Sequence, residues 1–188
     1  MHRIRSVIVL LSVLFAGCAS LSVERDAGAA RDGFELFGRV AVRYGSDGAS
    51  GRIAWRHSRA ADELLITSAL GQGMARITRR DGEIKLVTAD QNEYWAADAE
   101  ALTERVLGWR LPLAGLPYWV RGRADSARPA QFTRDAQSRL SELTQDDWRV
   151  EYQEYEGARP SKLRISRADL EIRMIVDRMV ADPMAVDQ

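Results

Sequence analysis

The chain has 188 residues, 27 basic and 27 acidic side chains, zero formal net charge and a single cysteine. Balanced charge with no block of one sign excludes an electrostatic nucleic-acid binder, which carries a basic stripe. One cysteine excludes an internal disulfide, so burial must hold the fold together.

The chain opens with a leader. Arg3 and Arg5 precede an apolar run over residues 7–16, and Ala16-Gly17 supplies the small residues before a processing site. The run falls short of the roughly 20 apolar residues that a spanning helix needs. Leu14-Phe15-Ala16-Gly17-Cys18 resembles the bacterial lipobox. That resemblance implies thioether-linked diacylglycerol and an acylated amino terminus on Cys18, so that the mature domain hangs from a membrane by lipid. Phe15 is a mild departure, since leucine is commoner there, and ordinary secretion with Cys18 left as a thiol is the alternative. Ala19 stands where sorting rules place an aspartate in lipoproteins kept at the inner membrane, which points instead to the outer membrane. Removing residues 1–17 from the 188 leaves 171, with 25 basic and 27 acidic groups, enough for one domain with a sizeable core. Residues 18–31 read as a lipidated N-terminus and flexible tether, and residues 32–188 as the domain.

From Phe34 onward the apolar period is two. Phe34, Leu36, Val40, Val42 and Tyr44 share one face of a strand, and Glu35, Arg39 and Arg43 share the other. Ser46-Asp47-Gly48 marks a turn, after which Ile53 and Trp55 face one way and Arg52 and Arg56 the other. Further strands are expected over 63–67, 74–80 and 83–88, with Arg80-Asp81-Gly82 as a hairpin turn, and over 92–95. Asp98 then caps a helix whose stripe is Leu102, Val106 and Leu107 and which ends at Gly108. A second short helix is expected over 112–120. Alternation resumes over 131–134, 139–144, 148–155, 162–166 and 170–180. About eleven strands broken by one helical insertion imply a mainly β fold: a strongly curved antiparallel sheet whose helices cover its concave face.

The inventory for catalysis is poor. His57 is the one histidine of the mature chain, lies between Arg56 and Arg59 at a strand end, and reads as a surface residue. There is no G-x-S-x-G elbow, no metal-ligand spacing and no dinucleotide fingerprint around Gly71-Gln72-Gly73. Asp146-Asp147 reads as a solvated turn rather than a glycosidase pair. No cofactor is required and no enzyme is expected.

The apolar features are richer. All five tryptophans lie in the mature domain, where core packing and the lining of an acyl-chain cavity require the same residues. Ser68-Ala69-Leu70-Gly71-Gln72-Gly73 reads as a loop with Leu70 at its tip. It is either folded onto the core or exposed as a membrane probe, in which case inserting one leucine gains about 1.5–3 kcal/mol.

Taken in order, several segments resemble the family of outer-membrane lipoprotein receptors, LolB. They are the lipobox at Cys18, Phe37-Gly38-Arg39-Val40-Ala41-Val42 with Trp55, Leu70-Gly71, and Leu111-Pro112-Leu113 with Trp119-Val120-Arg121-Gly122. Trp148-Arg149-Val150-Glu151-Tyr152 and Tyr155 complete the set. The resemblance implies an unclosed antiparallel barrel with a helical lid over a hydrophobic cavity. It also implies the role of accepting acylated lipoproteins from the periplasmic carrier LolA and inserting them into the inner leaflet of the outer membrane. Carried over, Cys18 is the anchor, Leu70 with Gly71 forms the membrane-insertion loop, and Val40, Val42, Trp55, Leu86, Trp148, Val150, Ile172 and Met174 are candidates for the acyl-chain cavity. Ala69 stands where proline is frequent, which suggests a less rigid loop, and Met179 where a tryptophan is frequent. A monomer is expected. A structural lipoprotein that binds another envelope protein through its sheet is the competing reading, and a hydrolase using unrecognised carboxylates ranks behind it.

Overall fold

The computed structural model describes residues 33–181, so the leader, Cys18 and the tether lie outside the described residues. The alternating pattern forms eleven strands. They are β1 (Phe34–Tyr44), β2 (Asp47–His57), β3 (Ala61–Thr67), β4 (Gly73–Arg80), β5 (Glu83–Thr88) and β6 (Glu93–Ala96), then β7 (Gln131–Arg134), β8 (Leu140–Gln145), β9 (Trp148–Glu156), β10 (Arg159–Arg167) and β11 (Leu170–Ala181). Two helices, α1 (Ala99–Leu107) and α2 (Leu116–Trp119), lie between β6 and β7. All strands join one antiparallel sheet in the order β6-β5-β4-β3-β2-β1-β11-β10-β9-β8-β7, with β6 and β7 as its unpaired edges. The sheet is therefore an unclosed barrel, and α1 and α2 belong to the connection that carries the chain from one edge to the other.

Each hairpin follows its turn chemistry. Asp81 and Gly82 both take positive φ, the geometry that two-residue hairpin turns require, and Asp146 and Asp147 do the same. The Asp pair is thus a turn, as expected. β1 pairs with β2 from Phe34↔His57 to Tyr44↔Asp47, and with β11 from Phe34↔Ala181 to Tyr44↔Leu170, with a register shift at Phe37/Gly38. Both ends of the described chain therefore lie at one pole of the sheet.

Helix α1 is bounded as its residues dictate. The Asp98 side chain accepts a hydrogen bond from the Ala101 N–H at 2.7 Å, and Gly108 ends the helix in the left-handed region. The helix expected over 112–120 is reduced to the single turn Leu116–Trp119. Gly115 precedes it because the Trp119 ring lies where a Cβ would stand, 2.2 Å away.

The core runs along the concave face and is filled mainly by strand residues of one parity together with Leu102, Leu111, Leu113, Leu116 and Trp119 of the connection. Burying an indole requires a partner for its N–H. Trp55 donates to Asp62 at 2.9 Å, Trp119 to Gln145 at 3.1 Å and Trp148 to Glu100 at 3.0 Å.

His57 corrects the surface reading. It is 7% exposed, its ring lies 4.9 Å from Phe34, and its Nδ1 is 2.6 Å from Asp62 Oδ1. Parity places it inward in the row Ile53, Trp55, His57, whatever the charge of its neighbours. Asp62, itself 1% exposed, also accepts from Arg79 Nε at 2.6 Å, so one buried carboxylate joins β2, β3 and β4. Asp62→Ala leaves the buried Trp55 N–H without an acceptor and takes the carboxylate from the half-buried Arg79, which keeps its bonds to the Ser58 and Arg59 carbonyls, and should cost about 3 kcal/mol, read from urea unfolding.

Candidate functional site

The concave face is not filled throughout. A cleft of about 140 Å³ lies between the centre of the sheet and the end of α1. Its floor includes Val40 and Val42 of β1 and residues Ala49 to Gly51 of β2, and its side is formed by Ile66, Met74 and Ala75 of β3 and β4. Leu107, the last residue of α1, and Trp109 also line it. The lining is almost wholly apolar, so the cleft suits an alkyl group. An apolar cavity of roughly 150 Å³ accommodates a benzene, so a long acyl chain requires the Leu107–Trp109 segment to move.

The structure brings Val40 and Val42, of the residues singled out from sequence, to this cleft. Trp55, Leu86, Trp148, Val150, Ile172 and Met174 are buried in the surrounding core, each at most 2% exposed. Ile66, Met74, Leu107 and Trp109 were not singled out. The alternation of β3 and the apolar stripe of α1 carry a signal for Ile66 and Leu107, whereas Trp109 lies beyond the helix where no periodicity operates.

The loop beside the cleft is built as a tight turn. Gly71 N–H donates to the Ser68 carbonyl at 2.9 Å, Ser68 N–H to the Gln72 carbonyl at 2.8 Å, and Gln72 N–H to Ser68 Oγ at 3.2 Å. Gly71 takes φ +84°, which favours glycine. These bonds define the turn without a proline at Ala69. They hold Leu70 outward at 89% exposure, the highest of the exposed large apolar side chains among the described residues.

No cluster of three or more His, Cys, Asp or Glu residues stands together among the described residues. Tyr152 has a buried hydroxyl without a hydrogen-bond partner, and burial raises its pKa, so it stays a neutral O–H.

The family model for the outer membrane lipoprotein LolB matches residues 32–178. The chain belongs to the LolB family. The outer-membrane lipoprotein LolB of Thiobacillus denitrificans is 37% identical over 182 residues, covering 95% of this chain and 98% of its own. That of Nitrosomonas europaea is 38% identical over 171 residues, covering 88% and 81%. Among solved structures, a LolA superfamily protein from Nitrosomonas europaea is similar with a TM-score of 0.49 and 9% identity, covering 81% of this chain and 87% of its own.

In this LolB-family chain the lid over the sheet is fastened at its first turn. Helix α1 packs on β5 and β6. Glu100 reaches the other half of the sheet, accepting from Trp148 Nε1 of β9 at 3.0 Å and from Arg167 Nη1 of β10 at 2.8 Å. The Arg167 guanidinium also lies 5.5 Å from the Trp148 ring centroid. Glu100→Ala removes both bonds and should destabilise the closed lid by about 2 kcal/mol. Hydrogen exchange should then quicken over residues 99–107 more than elsewhere, and stopped-flow uptake of a fluorescent fatty-acyl probe should be faster.

Proposed function

We propose that this LolB-family protein is an outer-membrane lipoprotein that accepts acylated lipoproteins from the periplasmic carrier LolA and inserts them into the inner leaflet of the outer membrane. In this reading residues 1–17 are removed, Cys18 is acylated, residues 18–31 are the tether, and residues 32–188 act as a monomeric receptor on the periplasmic face. The observation that carries it is the apolar cleft under Leu107 and Trp109, beside a loop that presents Leu70 to solvent.

The function is binding and release, without catalysis. Each methylene taken from water is worth about 0.8 kcal/mol, so exposing a long acyl chain costs on the order of 10 kcal/mol. A receptor that covers the chain slightly better than the carrier accepts it. The bilayer, which covers it better still, then takes it without any nucleotide. Leu70 contributes at that last step: its side chain is too small to anchor the protein and large enough to engage a bilayer held nearby.

Two substitutions separate the two parts of the task. Ala49 is an exposed residue on the cleft floor, opposite Val42 in the β1–β2 register. Ala49→Trp should fill the cleft, weaken fatty-acyl probe binding about tenfold or more, and leave the thermal midpoint nearly unchanged. Leu70→Glu should leave acceptance from loaded LolA intact and impair delivery to outer-membrane vesicles. Unchanged delivery would remove the loop from the mechanism, and substrate that stays on an active carrier would overturn the receptor reading.

A further inference from the structure

The outer, convex face of the sheet carries a second cleft that the receptor function leaves unused. It measures about 410 Å³ and lies over the junction of β1 and β2 with β10 and β11. Arg39, Arg52, Lys162 and Arg173 line it, together with Ala41 and Ile175, and no carboxylate does. The strand register explains the gathering: Arg39 stands directly opposite Arg52 across β1–β2 and opposite Ile175 across β1–β11, while Lys162 stands opposite Ile175 across β10–β11. Three of the cations have carboxylate partners outside the lining: Arg39 with Asp177 at 2.8 Å, Lys162 with Glu154 at 2.9 Å and Arg173 with Glu171 at 2.8 Å. All three cations are solvent-exposed, and such surface pairs are weak enough for a phosphate to compete with them. Arg52 has no side-chain partner among the described residues.

Cations around an apolar floor match a ligand with an anionic head and an apolar body. Ala69, next to Leu70, also lines this cleft, so it is continuous with the loop that presents the exposed leucine. An arginine-rich surface beside an inserting side chain is the arrangement that lies flat on a negatively charged bilayer. The geometry points to a binding site for the phosphate of an anionic phospholipid headgroup, formed by Arg39, Arg52, Lys162 and Arg173 on the convex face. It holds the protein side-on to the membrane so that Leu70 enters the bilayer. This inference rests on the proposed role of Leu70 and adds which lipid the loop engages and which face meets it.

The test uses the full acylated chain reconstituted in vesicles, with Gln72→Cys carrying an environment-sensitive dye to read the loop's depth. Vesicles are of phosphatidylcholine alone or of phosphatidylcholine with phosphatidylglycerol. Each arginine near an anionic surface strengthens attachment by about fivefold. The inserted fraction should therefore rise with phosphatidylglycerol and fall back in high salt. Arg52→Gln should lower the inserted-to-free ratio about fivefold, and Arg52→Lys should restore it. Insertion that is equal in both vesicles, or unaffected by Arg52→Gln, overturns the headgroup site while the Leu70 role stands. A loop that enters neither vesicle overturns the Leu70 role and this inference with it. If Arg52→Gln instead slows acceptance from the loaded carrier and leaves the dye unchanged, the cations meet an acidic protein surface and the headgroup site is wrong.

Discussion

An antiparallel sheet that stops short of closure has one concave apolar face, and something must cover it. Here the chain does so itself, by leaving the sheet at β6 and re-entering at the opposite edge, β7. The remaining strand connections are hairpins between neighbours in the sheet, so this one crossing must carry α1, α2 and the buried residues Leu102, Leu111, Leu113, Leu116 and Trp119 over the core. The crossing is held down by apolar contact along its length and by directed bonds toward its ends. Glu100 to Trp148 and Arg167 fastens one end, and Trp119 to Gln145 fastens the other. A cover of this kind can yield in part: displacing Leu107 and Trp109 enlarges the cleft without disturbing a strand ladder.

The same economy separates stability from function. The Trp55–His57–Asp62–Arg79 cluster ties β2, β3 and β4 together through one buried carboxylate that bonds all three of its neighbours. The cleft, by contrast, is bordered by Val40, Val42, Ile66 and Met74, whose contacts are dispersive and interchangeable. Polar bonding demands one geometry, whereas apolar packing tolerates several. A site proposed to accept and then give up an alkyl chain is better built from the second.

Much of the architecture was legible in the residues. The expected strands 83–88 and 131–134 coincide with β5 and β7, because alternation sets their faces and turn residues set their ends. The Asp98 cap and the Gly108 stop were equally readable, since both act within one turn of the chain. What escaped depends on pairing between distant segments. The inward place of His57 is secured by Asp62 across a hairpin and by Phe34 on the neighbouring strand. The partner of Glu100 lies 48 residues away, and the cations of the convex face gather only once the register sets Arg39 against Arg52. The cleft was half legible: Val40 and Val42 follow from strand parity, while Trp109 is placed by a crossing that has no period.

The pairing of Phe34 with Ala181 has a consequence for how the molecule stands at a surface. It puts the start of β1 at one pole, whereas the β3–β4 turn bearing Leu70 follows Thr67 toward the other. In the proposed function, anchor and probe would then sit toward opposite ends of a body whose longer strands run about 35 Å. A tether from an acylated Cys18 to Gly33, about fifteen residues, would span at most about 50 Å, more than the length of those strands. In that reading the length of the tether is a working dimension, to be compared with the length of the strands rather than with the thickness of a membrane.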